Sequence, residues 1–327
     1  MRIGLDVMGG DFAPEATLSG ALLAHHALHT SRPGDEKTDH RIVLFGEESI
    51  IRQFLKKKKL PAGTFDIVTS TEVIGMGDHP IKAFTKKTAS SIVLGFKALK
   101  HKEIDAFCSA GNSGAMLVGS IYSVNTIQGV IRPCTTTLLP QENGGISVLL
   151  DIGTNPDVKP DVLYQFAILG SLYARHVYKI KNPGVGLLNI GHEEEKGNLL
   201  CQTVYPMLKG AENIRFVGNL ESRDLFKNKA DVIVCDGFTG NVVIKLIEAM
   251  YRITAKRQLH DPFLQRLNYE LYGGSPILGI NASVVLGHGI SSATAVKNMI
   301  LLARDTAKAR LHQKIKQSFR QITAIGA

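Results

Sequence analysis

Residues Arg2-Ile3-Gly4-Leu5-Asp6-Val7-Met8-Gly9-Gly10-Asp11 decide the fold class: an apolar run of strand length ends on a glycine pair and an aspartate. Residues 17–29 follow with Leu18, Ala21, Leu22 and Leu28 at helical spacing. The same alternation recurs. Strand-like runs lie at 2–7, 41–45, 65–68, 106–108, 146–152, 185–190, 214–217, 232–235 and 284–286. Helical spacing occupies 49–55, 81–99, 162–177, 242–253 and 298–315. Strands alternating with helices predict an α/β fold: a mostly parallel sheet with helices on both faces. One local exception, residues 135–139 and 146–150 around Gly144-Gly145, predicts an antiparallel hairpin. No Gly/Ser linker or internal repeat divides the chain, so residues 1–327 read as one continuous α/β unit with room for two lobes.

The chain has 327 residues, 44% hydrophobic and 20% charged, which excludes wholesale disorder and fibrous repeats. At this length a fold buries roughly three quarters of its unfolded surface, so the core needs no metal or disulfide. Without tryptophan, and with 6% aromatics, stacking platforms for single-stranded nucleic acid are disfavoured. A formal charge of +9 asks instead for an acidic partner. The run Lys56-Lys57-Lys58-Lys59 suits a solvated helix end, and no nucleic-acid motif accompanies it. Cys108, Cys134, Cys201 and Cys235 form no CxxC pair, and no charged leader or 18-residue apolar stretch is present. The expectation is a protein of a reducing, cytoplasmic compartment. Residues 298–315 read as a basic amphipathic helix, solvated at the terminus rather than lying on a membrane.

In such sheets ligands bind beyond the carboxyl ends of the strands. Those ends share one character: Met8-Gly9-Gly10-Asp11, Ser109-Ala110-Gly111-Asn112-Ser113-Gly114-Ala115, Asp151-Ile152-Gly153-Thr154-Asn155, Asn189-Ile190-Gly191-His192, Asp236-Gly237-Phe238-Thr239-Gly240-Asn241 and Gly287-His288-Gly289-Ile290-Ser291-Ser292. Glycine allows close backbone approach to an anion, and a following helix supplies unpaired N–H groups. One such loop needs glycine for geometry alone; six point to a phosphate or oxyanion pocket. Neither a GxGxxG fingerprint nor a P-loop occurs, and the only acidic run, Glu193-Glu194-Glu195, suits a solvated loop better than a metal. A hydrolytic alternative has Ser113 in a near miss of GxSxG, with Asp236 and His288 following in Ser…Asp…His order. Against it, Ser113 would simply cap a helix or contact an anion. Cys108 and Cys235 lie in strand-like runs, where thiols are usually inert.

Asp6-Val7-Met8-Gly9-Gly10-Asp11-Phe12-Ala13-Pro14 closely resembles the opening of the bacterial phosphate acyltransferases. The agreement continues through SAGNSGA (109–115), LLDIGTN (149–155), GLLNIG (186–191), Lys196-Gly197-Asn198, GNLESRD (218–224), VCDGFTGN (234–241), YGGSPILG (272–279) and His288-Gly289. These blocks span nearly the whole chain in order. The resemblance implies a three-layer α/β/α sandwich similar to isopropylmalate dehydrogenase and phosphotransacetylase, and a homodimer. It also implies transfer of a fatty acyl group from acyl-acyl carrier protein to inorganic phosphate. The acyl-phosphate would pass to a membrane glycerol-3-phosphate acyltransferase in phospholipid synthesis, with peripheral membrane contact, no cofactor, no metal and no nucleic acid. Two departures stand out: Asn281-Ala282 replaces the family's Asn-Gly, and the segment from Glu248 to Tyr272 is shorter than the family's helical hairpin. Tyr251, Leu259, Phe263 and Leu267 remain there as a small apolar tip or as ordinary helix packing.

Phosphate is itself a nucleophile at neutral pH, so the chemistry asks for positioning and oxyanion stabilisation rather than a covalent intermediate. The expected N–H donors are the loops carrying Ser109, Gly111, Asn112, Ser113 and Gly114, and Gly237 and Gly240. Lys196 would bind phosphate or neutralise the oxyanion, with a surface lysine as the alternative. His288 would protonate the departing thiolate or merely bond a loop. Asp236 would orient Lys196 or His288, and Asn241 would add an oxyanion donor. Lys82 and Arg132 are secondary anion contacts, and an apolar channel should hold the acyl chain away from water.

Overall fold

The structure, a computed structural model, describes residues 1–30 and 40–325. Residues 1–126 form β1 (Arg2–Asp6), α1 (Glu15–His29), β2 (Arg41–Gly46), α2 (Glu48–Lys57), β3 (Asp66–Thr69), α3 (Pro80–Lys86), α4 (Ser91–Lys100), β4 (Ala106–Ser109) and α5 (Ser113–Ser123). Residues 127–269 form β5 (Cys134–Pro140), β6 (Ile146–Leu150), α6 (Pro160–His176), β7 (Gly184–Leu188), α7 (Leu199–Lys209), β8 (Arg215–Leu220), β9 (Val232–Val234), α8 (Gly237–Lys256) and α9 (Pro262–Gln265). The chain then adds β10 (Ser275–Leu278), β11 (Ser283–Leu286), α10 (Ala293–Lys308) and α11 (Leu311–Ile325). It divides into two compact units: Met1–Thr126 with Glu270–Arg310, and Ile127–Tyr269 with Leu311–Ala327.

In the first unit the strands run β3-β2-β1-β4-β11-β10, all parallel except the antiparallel pair β10–β11. Period-two alternation separates two buried faces. Ile3, Leu5, Ile42, Leu44, Ala106 and Cys108 pack with residues of α1, α2 and α10 on one side. Val43, Phe45 and Phe107 pack with residues of α3, α4 and α5 on the other. Gly4 makes the second face possible: a Cβ there would sit 2.9 Å from Phe45 and 3.1 Å from Phe107, whose rings meet edge to face at 5.7 Å.

In the second unit the order is β5-β6-β9-β7-β8, parallel apart from the β5–β6 hairpin that pairs Thr136 with Leu150. Leu149 and Ile233 face Val243, Ile244 and Ile247 of α8. Gly170 of α6 lies against Leu150 and Val232 on the opposite face. Leu311, Ile315 and Phe319 of α11 are buried, and α11 packs on α6.

Two helices expected as single are divided. Residues 81–99 break between α3 and α4, where Ser90 donates to Lys87 O at 2.7 Å and accepts from Val93 N. Its hydroxyl caps the new helix. Residues 298–315 break at Arg310, which has a positive φ of 50°. The first half is no solvated terminal helix: α10 buries Val296, Met299, Ile300 and Ala303 against α1, β1 and β4. Of the four apolar residues at 251–267, Leu267 is buried and Phe263 meets Phe226 edge to face at 5.5 Å, while Leu259 is exposed. Among the described residues no helix is long and apolar enough to cross a membrane.

Candidate active site

In the first unit the ends of β1, β4 and β11 are knitted together through glycine. Gly9 lies so close to Asp6 and Gly111 that a Cβ would be 2.7 Å from Gly111 N. Asp11 N donates to Gly289 O at 2.7 Å, and Gly287 N donates to Ser109 O at 2.7 Å. Beneath this surface Asp6 is fully buried; it accepts from Ser109 Oγ at 2.6 Å and from Met8 N at 3.0 Å. Burial pushes the Asp6 carboxyl above the usual carboxylate range, partly offset by the Ser109 bond. Sequence reasoning missed Asp6 as a site residue, although its place at a strand end before a glycine pair is legible.

Asn112 is the N-cap of α5: its side chain accepts from Ala115 N at 2.9 Å. Its amide nitrogen meets the carbonyls of Gly75, Met76 and Asp78 at 3.0–3.2 Å. The expected anion donor is thus spent on capping a helix and anchoring the 75–78 loop. Ser109 Oγ is likewise committed, since it also accepts from Gly111 N at 2.9 Å. Ser113 and Gly114 occupy the first turn of α5, where N–H groups have no partner within the helix, and Ser113 is exposed. Gly114 packs against Pro80, at the start of the helix that carries the exposed Lys82. His288 is half-buried between Gly287 and Gly289, and its carbonyl accepts from Ser291 N at 2.9 Å. Ser291 is 4% exposed, and its Oγ has no hydrogen-bond partner among the described residues; the sequence singled it out only as part of its loop.

The second unit repeats the device. Asp151, fully buried, accepts from Thr135 N and Oγ1, Ile152 N, Thr154 N, and Asn155 N and Nδ2 at 2.6–3.3 Å. It thereby shapes the 151–155 loop. Gly237 N donates to Asn155 O at 2.8 Å, and Gly240 leaves no room for a Cβ beside Asp151 O. Asn241 Nδ2 donates to Ile152 O at 3.1 Å, which ties α8 to that loop. Arg132 is exposed and makes a long 3.5 Å side-chain hydrogen bond to Asp157 O.

Asp236 is the N-cap of α8, taking Thr239 N on Oδ1 and Thr239 Oγ1 on Oδ2, each at 2.8 Å. The expected orientation of Lys196 by Asp236 is therefore not what its oxygens do. Lys196 is exposed; its carbonyl accepts from Asn189 Nδ2 at 3.0 Å, and Asn198 next to it caps α7 through Cys201 N at 2.9 Å. Asn189, Gly197, Asn198, Asp236 and Thr239 share a cavity of about 560 Å³ beyond the ends of β7 and β9, with Leu163, Leu187 and Val243 among its apolar walls.

The buried thiols suit no nucleophile. Cys108 donates to Gly4 O at 3.2 Å, and burial pushes the Cys108 and Cys235 thiols up. Among the described residues no group of three or more His, Cys, Asp or Glu is arranged to hold a metal ion.

Residues 1–263 match the family model described as a fatty acid synthesis protein. A relative from Dictyoglomus thermophilum, named phosphate acyltransferase, is 38% identical over 345 aligned residues, covering all of both chains. Among solved structures, a phosphotransacetylase from Streptococcus pyogenes superposes with a TM-score of 0.63 at 17% identity, over 94% of each chain. A branched-chain phosphotransacylase from Enterococcus faecalis gives 0.62 at 12% identity, over 94% of this chain and 99% of its own. The two structures establish a shared α/β fold. Match along the chain and full-length identity establish more: this chain belongs to the phosphate acyltransferase family.

Proposed function

We propose that this protein is an acyltransferase acting on phosphate, and that it moves a fatty acyl group from acyl-acyl carrier protein to inorganic phosphate. The carrying observation is the fate of the polar residues at the strand ends. Asn112, Asn198 and Asp236 are spent on helix caps that take Ala115 N, Cys201 N and Thr239 N, and Gly237 N is taken by Asn155 O; the N–H groups of Ser113 and Gly114 on α5 and of Leu199 and Leu200 on α7 have no partner within their helices, with the exposed Lys196 near the start of α7. Helix N-termini of this kind favour anions without any side-chain acid or base.

A phosphate oxygen would attack the thioester carbonyl carbon. The tetrahedral oxyanion would be held by loop N–H groups with Lys196 and Asn241, and its collapse would release the carrier thiolate, which takes a proton from solvent. Breaking carbon–sulfur and forming carbon–oxygen balances without a redox step or cofactor.

The product would serve a membrane glycerol-3-phosphate acyltransferase in phosphatidic acid synthesis, from a cytoplasmic protein that touches the membrane peripherally. As a homodimer, the protein would cover the exposed apolar stripe of α8, formed by Phe238, Val242, Leu246, Met250 and Ile253, with a second copy. The test supplies long-chain acyl-acyl carrier protein with and without inorganic phosphate. Phosphate-dependent thiol release with a hydroxylamine-trappable product supports the reading; phosphate-independent release of free acid overturns it.

A further inference from the structure

We infer that the cavity in the second unit holds the fatty acyl chain, and that Leu163 and Leu187 at its floor limit chain length. The inference rests on the acyl-transfer reading above, and adds where the chain goes. The cavity, about 560 Å³, lies in the range of small-molecule sites, ~300–1,000 Å³. Its floor is buried: Leu163 is 1% and Leu187 0% exposed, and Cys235, which also lines the cavity, is buried. Leu188, Ile190 and Val243 continue the apolar wall, and Ile190 is 81% exposed at the rim.

The polar lining argues for a neutral tail inside with its head outside. Asp236 and Glu221 both face this space, and a phosphate or carboxylate placed among them would be repelled. Each carboxylate is already partnered: Asp236 caps α8, while Glu221 pairs with Arg223 at 2.8 Å and stands 3.5 Å from His192. Neither needs a cationic ligand. Gly197 and Asn198 also line the cavity, which puts the Lys196 segment at its edge. A chain seated on Leu163 and Leu187 would therefore bring its carbonyl end toward Lys196 and the first turn of α7.

Leu163→Phe fills the floor, and Val243→Phe narrows the half-buried wall should the first variant fail to fold. Each excluded methylene is worth roughly fourfold in affinity. In either folded variant the ratio of kcat/KM for C16 over C6 acyl-acyl carrier protein should fall at least tenfold; an unchanged ratio overturns the inference. A second measurement needs no turnover. Cys201 lines the cavity and is the one half-buried cysteine, the other three being fully buried. Hexadecylphosphonate, kept below its micelle concentration, should slow maleimide labelling of Cys201 at least fivefold, while butylphosphonate should not. Equal rates with both would overturn the inference. If the wild-type enzyme makes no acyl-phosphate, the acyl-transfer reading falls by itself, and the Cys201 labelling still decides what the cavity holds.

Discussion

Ser109 donates its hydroxyl to Oδ2 of Asp6 at 2.6 Å, and both residues are buried at adjoining strand ends beneath the glycine loops. This bond lets a carboxylate organise the 109–115 turn without itself reaching solvent. Ser109→Ala removes a donor from a buried acid and should lower stability by about 1–3 kcal/mol, read by urea unfolding.

The same acid gives a pH dependence with a defined sign. Burial raises the folded Asp6 pKa above its ordinary value of 3.8, so the folded state keeps the proton to higher pH than the unfolded chain. Its contribution to stability is therefore greatest below 3.8 and declines as pH rises from there through the folded value. Unfolding free energies of Asp6→Asn minus wild type should climb across that window and then level. A flat difference would mean that the folded and unfolded pKa values agree.

Gly240 tests the second loop. A Cβ there would overlap Asp151 O and sit 3.1 Å from Cys235 Sγ. Gly240→Ala should cost about 1–3 kcal/mol from overpacking. Gly63, where an added Cβ would have nothing among the described residues within 4 Å, is the control, and Gly63→Ala should stay within about 0.5 kcal/mol of wild type.

Lys196 is exposed beside the capped start of α7, which makes it available to an anion and unimportant to the core. Lys196→Ala should lower turnover by about 10²-fold or more with an unchanged melting temperature, and Asn241→Ala similarly lowers turnover. Near-wild-type rates in folded Lys196→Ala would remove that residue from the site.

Leu246 lies mid-stripe on α8 and is exposed. Leu246→Glu should convert a dimer to a monomer in light scattering at micromolar concentration; a wild-type protein that is already monomeric would refute the dimer.

The α/β alternation was legible because buried parallel strands are apolar on both faces and stop at glycine, as 2–7 and 41–45 do. The 135–150 hairpin was legible from its glycine pair, and the structure pairs Thr136 with Leu150 as expected. β10 was missed because Ser275-Pro276 hides a four-residue strand. α7 was missed because Pro206 interrupts its pattern. The glycine loops singled out in the sequence do stand at strand ends, but Asn112 was expected to contact an anion and Asp236 to orient Lys196 or His288. Asn112 and Asp236 instead obey the simpler rule that a helix after a strand needs a cap. The cavity was beyond reach, since Leu163, Leu187 and Val243 become neighbours only through the fold.

Transfer of acyl to phosphate, rather than to water, is tested most directly with phosphate carrying ¹⁸O at all four positions and long-chain acyl-acyl carrier protein. Attack by a phosphate oxygen predicts an acyl-phosphate that retains all four labelled oxygens by mass spectrometry, one of them bridging carbon and phosphorus. Free fatty acid with an oxygen from solvent, and no labelled acyl-phosphate, would contradict it.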